Sequence, residues 1–186
     1  MEASDADLIR QCLADDNNGF DLLVKRYQKR IIGFCYKMLG NADQASDAAQ
    51  DTFVKAYYAL DRFKLDAAFL PWILRIASNT CTDMLRSRAR QADSLDEIPA
   101  DIGPIAPEED TPEQKMLVSE NERLTREALM SLPERSRTVL VMFYFNRLSI
   151  KEISKILDKP VGSIKYDLHT AREALRRRLK GMMVGV

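Results

Sequence analysis

Residues 149–175 read SIKEISKILDKPVGSIKYDLHTAREAL, and this stretch predicts two short helices joined by a tight turn. Ser149 and Glu152 have the spacing of a capping box, in which each side chain accepts a hydrogen bond from the other residue's backbone N–H. Pro160 cannot continue the first helix, and Gly162 permits a tight turn before the next one. A short helix, a turn and a second helix with a basic outer face form the helix-turn-helix pattern, which places its second helix in the major groove of DNA.

The apolar residues of this stretch recur at helical spacing, so that each helix has one inward face. The second helix, which Ser163 can cap, continues beyond the quoted residues to Lys180. The inward residues are Ile153, Ile156 and Leu157 in the first helix and Ile164, Leu168, Ala171, Leu175 and Leu179 in the second. An ordinary helical hairpin with a solvated lysine and arginine face is the alternative interpretation.

The composition is that of a globular protein of one or two domains: 186 residues, 46% hydrophobic and 30% charged. The longest apolar run, residues 139–145, is far too short to span a membrane, and the acidic N-terminus lacks the apolar segment of a signal peptide. The three cysteines, Cys12, Cys35 and Cys81, are too scattered for a disulfide framework or a metal site. We therefore expect a cytoplasmic protein without membrane insertion, metal or cofactor.

A formal net charge of zero hides a strong segregation of charge along the chain. Residues 1–20 carry five acids and one base, and residues 91–120 carry nine acids and one base. Between and after them, residues 21–90 carry twelve bases and seven acids, and residues 121–186 carry fourteen bases and seven acids. Basic blocks divided by an acidic strip indicate surfaces for a polyanion, although chance clustering on solvated faces would give the same counts.

The remainder of the chain also shows helical periodicity. Apolar residues recur at three- and four-residue steps over residues 6–38, 43–60 and 69–90, and Gly40 ends the first run. No stretch alternates between apolar and polar residues over the length of a useful strand. These patterns predict an all-α protein.

Residues 92–110 interrupt the helices and predict a linker. They contain three prolines, one glycine and no basic residue, and they lack helical periodicity. A Thr-Pro-Glu-Gln sequence at 111–114 is a start signal for the helices that follow. We therefore expect two small helical domains, 1–91 and 112–186, joined by an acidic linker at 92–111, the second being a winged-helix-like helix-turn-helix domain. Because the linker has no apolar face, we expect the two domains to hold each other only loosely.

Three quoted segments resemble one family. LPERSRTVLVMFYFNRLSIKEISKILDKPVGSIKYDLHTAREALRRRL, residues 132–179, resembles the C-terminal DNA-binding region of extracytoplasmic-function (ECF) sigma factors, which are subunits of bacterial RNA polymerase. NADQASDAAQDTFVKAY, residues 41–57, is similar to the polymerase-binding helix of that family, and FLPWILRIASNTCTDMLRSRAR, residues 69–90, to its −10 promoter helix. The segments occur in the family's order and spacing, and with the linker they cover almost the whole chain.

The resemblance implies a polymerase-docking face on the helix that begins near residue 43. Exposed acids there would steer association, and an apolar side chain would supply contact area. Acids in an early helical turn also complement the helix dipole, which is the alternative interpretation. The residues of this face, expected to point away from Phe53 and Tyr57, are Asp47, Gln50, Asp51 and Val54.

The resemblance also implies that residues 63–90 capture the melted −10 strand, which requires aromatic contacts and hydrogen bonds for unstacked bases. The candidates are Phe63, Lys64, Phe69, Arg75, Asn79, Arg86, Arg88 and Arg90. The three arginines at the end of the segment could bind phosphates or complement the helix dipole, and we expect phosphates. Trp72 lies on the apolar stripe and is expected in the core, and Phe69 fits the core as well as a base contact.

For the −35 duplex, the resemblance points to the outer face of the recognition helix. The candidates are Ser163, Lys165, Tyr166, His169, Arg172 and Arg176. Lys165 could reach guanine O6 and N7, and the arginines could position the helix on phosphates. Tyr166 and Asp167 stand where the family usually carries a serine–arginine pair. We expect Asp167 to accept a hydrogen bond from a cytosine amino group and so to narrow the −35 preference.

The function that the resemblance implies is that of a sigma factor and not of an enzyme. Its partners would be core RNA polymerase, promoter DNA and an anti-sigma factor. The linker would either thread through the polymerase near its active centre or act as a plain tether. The alternative function is that of a free-standing helix-turn-helix repressor or activator. It would explain residues 112–186 but would leave the N-terminal domain, residues 1–91, without a function.

Overall fold

The structure, a computed structural model, describes residues 3–14, 18–92 and 122–183, and all regular secondary structure in these ranges is helical. This confirms the predicted all-α class. The helices are α1 (Asp5–Leu13), α2 (Asn18–Leu39), α3 (Ala42–Tyr58), a 3₁₀ turn (Leu60–Arg62), α4 (Phe69–Ala92), α5 (122–130), α6 (Glu134–Tyr144), α7 (Ile150–Leu157) and α8 (Val161–Met183). The start signal at 111–114 and the expected linker, apart from residue 92, lie outside the described residues.

The first predicted helix is in fact two helices, α1 and α2, which pack against each other. They approach so closely at Gly19 that an added Cβ would collide with the carbonyl oxygen of Leu8. The end of α2 is as predicted: Gly40 has a φ of 74°, and its N–H donates to the carbonyl of Tyr36 at 2.8 Å. A left-handed glycine of this kind satisfies a carbonyl that the helix would otherwise leave without a donor.

The helix α2 forms the centre of the N-terminal helices and contacts α1, α3 and α4. Its inward face supplies Leu23, Ile31, Phe34 and Met38, all of which are buried. The core-facing side of α3 consists mostly of small residues, which allow the two helices to approach closely. This packing leaves one whole side of α3 and one side of α4 toward solvent.

The helix-turn-helix is formed by α7 and α8, as the sequence predicts. Both hydrogen bonds of the capping box are present: Ser149 N–H donates to Glu152 Oε2 at 2.7 Å, and Glu152 N–H donates to Ser149 Oγ at 3.2 Å. Hydrogen bonding with the Ser149 side chain, together with the bond from the Ser149 backbone N–H, holds the pKa of the Glu152 carboxyl below its usual value. The turn closes because Asp158 is left-handed, with a φ of 51°, and the Ser154 hydroxyl donates to the carbonyl of Lys159.

The start of α8 differs from the prediction. The helix begins at Val161, directly after Pro160, so that Gly162 is a helical residue and not part of the turn. Ser163 is therefore the third residue of α8 and does not cap it; its hydroxyl instead accepts a hydrogen bond from Arg135. The stop of α7 comes earlier, at the left-handed Asp158, and Pro160 fits directly before α8 because it has no backbone N–H that a helix start would leave without a partner.

The capping box gives a first measurable expectation. Replacing Ser149 by alanine removes the acceptor for the Glu152 N–H, and loss of such a cap typically costs about 1 kcal/mol. We expect Ser149→Ala to lower the free energy of unfolding by that amount in chemical denaturation. Ser131→Ala is a suitable control, because that hydroxyl donates within its own turn to Ala128 and caps no helix start. An equal loss in both variants would contradict a specific capping contribution.

The two groups of helices, α1–α4 and α5–α8, pack directly against each other, contrary to the expectation of loose association. The Arg30 guanidinium donates to the backbone carbonyl of Asn146, and the Thr82 hydroxyl donates to Glu134. Thr138 is buried against the Met38 sulfur, and one apolar core runs through both groups. Linker composition could not predict this interface, because the interface depends on side chains far from the linker.

A buried guanidinium lies in this interface. Arg137 of α6 is buried, and burial lowers its pKa. Its Nη1 donates to the Met130 sulfur at 2.8 Å, whereas its Nε has no hydrogen-bond partner within the described residues. The Lys37 ammonium lies 4.7 Å from the centre of the Phe145 ring, and burial lowers its pKa as well. Removing these two cations from water costs free energy when the two groups of helices pack together.

Candidate polymerase and nucleic-acid interfaces

The predicted docking residues form one exposed side of α3. Asp47 is three and four residues before Gln50 and Asp51, and these are four and three residues before Val54, so that the set shares one side of the helix; all four are exposed. Val54 keeps 49% of its surface, which is unusual for a valine in the middle of a helix. The opposite side of α3 is buried against α2 and α4.

Next to this side lies a groove between α2 and α3. Its volume is about 460 Å³, and it is lined mainly by apolar and aromatic side chains, with Gln50 and Val54 among the lining residues. Tyr57 was expected on the side opposite the docking residues, but it lines the groove, 40% exposed, with its ring edge-on to Phe20 at 5.1 Å. Tyr58 also lines it and is 80% exposed.

The two tyrosines are functional candidates that the sequence-based list missed. A pair of adjacent aromatic residues one turn beyond Val54 was the available signal, because only one of two neighbours on a helix can point fully inward. Exposed aromatic side chains next to an apolar groove are typical of the centre of a protein–protein interface.

Four of the −10 candidates on α4 form an exposed row. Arg75, Asn79, Arg86 and Arg90 are exposed and lie on one side of the helix, since their spacings of four, seven and four residues keep them within about a sixth of a turn. Lys64 is also exposed, in the segment before the helix. These residues bring cationic and amide groups to a single surface.

Two of the α4 arginines, one of them in the exposed row, make contacts within the protein. Arg88 is half-buried and donates to Gln44 Oε1 at 2.8 Å, which ties α4 to the start of α3. The Nε of Arg90 lies 3.4 Å from the carbonyl of Arg86 near the end of the helix. Among the contacts between residues that the structure describes, Arg88 is the terminal arginine bonded to a side chain of another helix.

The prediction that Phe63 and Phe69 contact unstacked bases does not hold in this structure. Phe63 keeps 7% of its surface and Phe69 only 1%. Both belong to an aromatic cluster with Trp72 and Tyr27, in which Phe63 lies 5.1 Å from Trp72 and Phe69 lies 5.3 Å from Tyr27. Trp72 is partly buried against the core, as expected. The rings are therefore part of the interior and not of the exposed surface.

The aromatic cluster is also connected to α1. The Tyr27 hydroxyl donates to Asp5, and burial together with this bond raises the pKa of Tyr27 to about 12. Asp5 also accepts from Arg26, whose guanidinium reaches the Ala3 carbonyl at 2.8 Å. The N-terminal helix is therefore bonded to α2 beside the aromatic cluster.

The outer side of α8 presents the −35 candidates. Lys165, Tyr166, His169, Arg172 and Arg176 are all exposed, and Ser163 is half-buried at the start of the helix. Tyr166 keeps 69% of its surface. The Arg172 guanidinium lies 5.4 Å from the ring centres of Phe143 and Tyr144, and Arg176 Nη1 donates to Glu173 at 2.7 Å.

In this structure Asp167 is not placed to read a cytosine. Asp167 is buried, with 6% of its surface exposed, and its Oδ2 accepts from Arg135 Nε at 2.7 Å. Arg135 belongs to the first turn of α6, and its Nη2 also donates to Ser163 Oγ at 2.6 Å. The carboxylate faces inward because α8 places residue 167 one turn from the buried Ile164 and next to the buried Leu168. No local signal links residue 135 to residue 167.

Within the described residues, none of the helices has the apolar length that a bilayer crossing requires. The same residues contain no group of three or more histidine, cysteine, aspartate or glutamate side chains placed to hold a metal ion.

Comparison with known proteins matches both groups of helices to one family. The model of Sigma-70 region 2 matches residues 23–91, and that of Sigma-70 region 4 matches residues 122–175. The chain is 34% identical to the RNA polymerase sigma-H factor of Pseudomonas aeruginosa, over 98% of this chain and 97% of that protein. It is also 34% identical to the ECF RNA polymerase sigma factor SigW of Bacillus subtilis, over 94% of this chain and 96% of that protein.

Solved structures share the fold. The sigma factor RpoE of Bartonella quintana, crystallised with the anti-sigma factor NepR, has a TM-score of 0.73 at 22% identity, over 87% of this chain and 96% of that one. CnrH, solved with the cytosolic domain of CnrY, has a TM-score of 0.69 at 24% identity, over 95% of this chain and 97% of that one. With both family models in the family's order and with full-length relatives above 30% identity, the chain belongs to the ECF sigma factors of the sigma-70 family.

Proposed function

We propose that this sigma factor divides promoter-specific transcription initiation among three exposed faces. The α3 face and its groove bind core RNA polymerase, the exposed row on α4 meets the melted −10 strand, and the outer side of α8 reads the −35 duplex. The observation that supports this division most is that the three faces lie on separate helices and are all open to solvent, although the helices behind them share one core. A free-standing repressor or activator would leave the α3 and α4 faces without a role.

The same division gives the domain boundaries. Residues 1–91 form the domain for polymerase and the −10 element, and residues 112–186 form the domain for the −35 element. The two family-model matches, at 23–91 and 122–175, lie within these limits. Residues 92–111 join the domains, and their acidic composition suits a strand inside a polymerase channel that accepts RNA.

Binding both promoter elements requires the two domains to separate. By their names, the −10 and −35 elements lie about 25 base pairs apart, which is roughly 85 Å along B-DNA at 3.4 Å per base pair. Here α4, which carries the −10 row, packs directly against α7, the first helix of the helix-turn-helix. We infer that the closed arrangement belongs to the protein away from the promoter, and that rigid-body separation accompanies assembly with polymerase.

The basic residues of α8 divide into residues that read bases and residues that position the helix. Lys165 lies in the second turn of α8, where a recognition helix contacts base edges, and we expect Lys165→Ala to cost about 1–3 kcal/mol on the preferred −35 element and to relax preference at one base pair. We expect Arg176→Ala to weaken binding to all sequences alike and to reduce the salt slope by about one phosphate contact.

The measurement is holoenzyme binding to a set of promoters with single −35 substitutions at several salt concentrations. Lys25→Ala is a charge-matched control, because Lys25 is an exposed residue on α2 and belongs to none of the three faces. If Lys165→Ala and Arg176→Ala changed sequence preference and salt slope in the same way, the division into readers and positioners would be refuted.

The function as a whole is tested by run-off transcription with purified core polymerase, with and without this chain, on fragments of the host's genomic DNA. New transcripts that share upstream elements are expected only when the chain is present. Tight binding of the chain alone to promoter DNA, with transcripts that only decrease, would favour the repressor.

Further aspects of the function follow from membership of the family. We propose that the chain acts in the cytoplasm, as a factor without enzymatic chemistry of its own, and that a separate anti-sigma factor restrains it. RpoE, which has the same fold, was solved with the anti-sigma factor NepR, and CnrH was solved with the cytosolic domain of CnrY. Co-purification of a partner that blocks the binding of core polymerase would support this restraint.

A further inference from the structure

The side chains of Arg135 and Asp167 differ sharply in exposure, although they form an ion pair. The Asp167 side chain is 9% exposed, whereas that of Arg135 is 54% exposed. The Nε of Arg135 donates to Asp167 at 2.7 Å, and its Nη2 donates to Ser163 at 2.6 Å. Within the described residues these bonds use two of the five guanidinium N–H groups, so that three remain for another acceptor.

The position of this guanidinium relative to α8 suggests what the acceptor is. Ser163 is the third residue of α8, and the first turns of a recognition helix are the part that approaches DNA. A group bonded to Ser163 is therefore carried to the edge of the major groove whenever α8 enters it. The backbone N–H groups and the dipole at this helix end also favour an anion there.

We propose that Arg135 is a further DNA contact, donating to a phosphate of the −35 duplex, and that Asp167 and Ser163 are the positioning residues that hold its guanidinium. This inference rests on the proposed reading of the −35 element by α8. Arginine suits the task because its planar fork can bond to a carboxylate on one edge and to a phosphate on another.

The proposal also explains why an aspartate is placed on a basic recognition helix. A carboxylate exposed toward DNA would repel phosphates, but this one is buried and paired, and its negative charge is offset by Arg135. Without Arg135, the buried carboxylate would lack its cation, which is costly in a protein interior. The pair thus fixes one rotamer of a long side chain before DNA arrives, which reduces the entropy lost on binding.

The test uses holoenzyme and promoter duplexes in which one −35 phosphate at a time is replaced by an uncharged methylphosphonate. For the wild-type chain we expect a loss of about tenfold in affinity at each contacted phosphate. For Arg135→Gln, methylphosphonate at one particular phosphate should no longer reduce the affinity, while methylphosphonate at the other contacted phosphates should still reduce it. In Asp167→Asn, the amide oxygen can still accept a hydrogen bond from Arg135 Nε. We therefore expect methylphosphonate at that same phosphate to reduce the affinity by a smaller factor than in the wild type, and no other phosphate to become sensitive instead.

A double variant separates this role from stability. Arg135→Gln combined with Asp167→Asn leaves the net charge unchanged and leaves no buried carboxylate, so that the chain should unfold at nearly the wild-type temperature. It should nevertheless be insensitive to methylphosphonate at the Arg135 phosphate. If the double variant and Arg135→Gln both show the wild-type pattern at every phosphate, Arg135 is a structural residue only and the proposal is overturned.

The experiment also distinguishes failure of this inference from failure of the proposed function. If α8 reads the −35 element but Arg135 makes no contact, Lys165→Ala and Arg176→Ala still weaken binding while Arg135→Gln keeps the wild-type pattern. If α8 does not read the −35 element, no methylphosphonate in that element alters binding for any variant. Either outcome refutes the role of Arg135, and only the second refutes the role of α8.

Discussion

A sigma factor whose two domains are linked covalently in the closed arrangement is expected to lose promoter-directed transcription almost completely. Thr82 of α4 and Glu134 of α6 are in hydrogen-bonding contact across the interface, so cysteines at these two positions can be joined by a short bismaleimide. The linked chain cannot place α4 and α8 on elements that lie roughly 85 Å apart. Run-off transcription with core polymerase measures the effect, in a Cys12→Ser background because Cys12 is half-buried and the other two cysteines are buried.

The controls show whether closure or damage is responsible. A bismaleimide with a reducible disulfide in its spacer should allow transcription to return after reduction. Each single-cysteine variant treated in the same way should transcribe as well as the untreated chain. Circular dichroism of the linked chain should match that of the wild type, since the reagent joins residues that already touch. Full activity of the linked chain would refute the need for domain separation.

Reversal of charge on the α3 face is the second change for which we expect a large effect. In the double variant Asp47→Lys and Asp51→Lys, two acids that would face a basic surface of the partner are replaced by bases. Placing charges of the same sign opposite each other in an interface costs several kcal/mol of binding free energy. We therefore expect core polymerase to bind the double variant about a hundredfold or more weakly. Both residues are exposed, and thermal unfolding of the free chain should change little. Titration of a labelled chain with core polymerase measures the affinity.

A matched control is available on the same domain. Asp61→Lys combined with Asp66→Lys makes the same change in net charge at two exposed acids outside α3. We expect this variant to bind core polymerase nearly as well as the wild type. Equal weakening in both variants would show that total charge matters and the α3 face does not. Wild-type binding by the Asp47 and Asp51 variant would show that the docking face has been assigned to the wrong residues.

Much of this protein follows from signals within a few residues of one another. The helical class, the capping box at Ser149 and the left-handed end of α2 at Gly40 depend on local spacing and on backbone preferences, and all of them are present in the structure. The exposed residues of α3, α4 and α8 were largely predictable as well, because a helix with one apolar face must turn its other residues outward.

Local patterns fail to predict burial where a side chain packs against residues that are distant in the sequence. Phe63 and Phe69 were predicted to meet bases, but the ring of Tyr27, on another helix, completes an aromatic cluster around them. The two tyrosines beside the α3 groove were missed for a related reason, since the groove exists only once α2 lies against α3.

Local patterns along the chain predict most of the helices, their order, the helix-turn-helix and the family, because each of these depends on residues close together in the sequence. The inward orientation of Asp167 toward Arg135, thirty-two residues earlier, and the core that the two domains share emerge only when the chain is folded. Burial and pairing are properties of surfaces that meet in three dimensions. A charged residue on a helix surface can be solvated, bound to DNA or paired with another helix, and its neighbours along the chain are the same in all three cases.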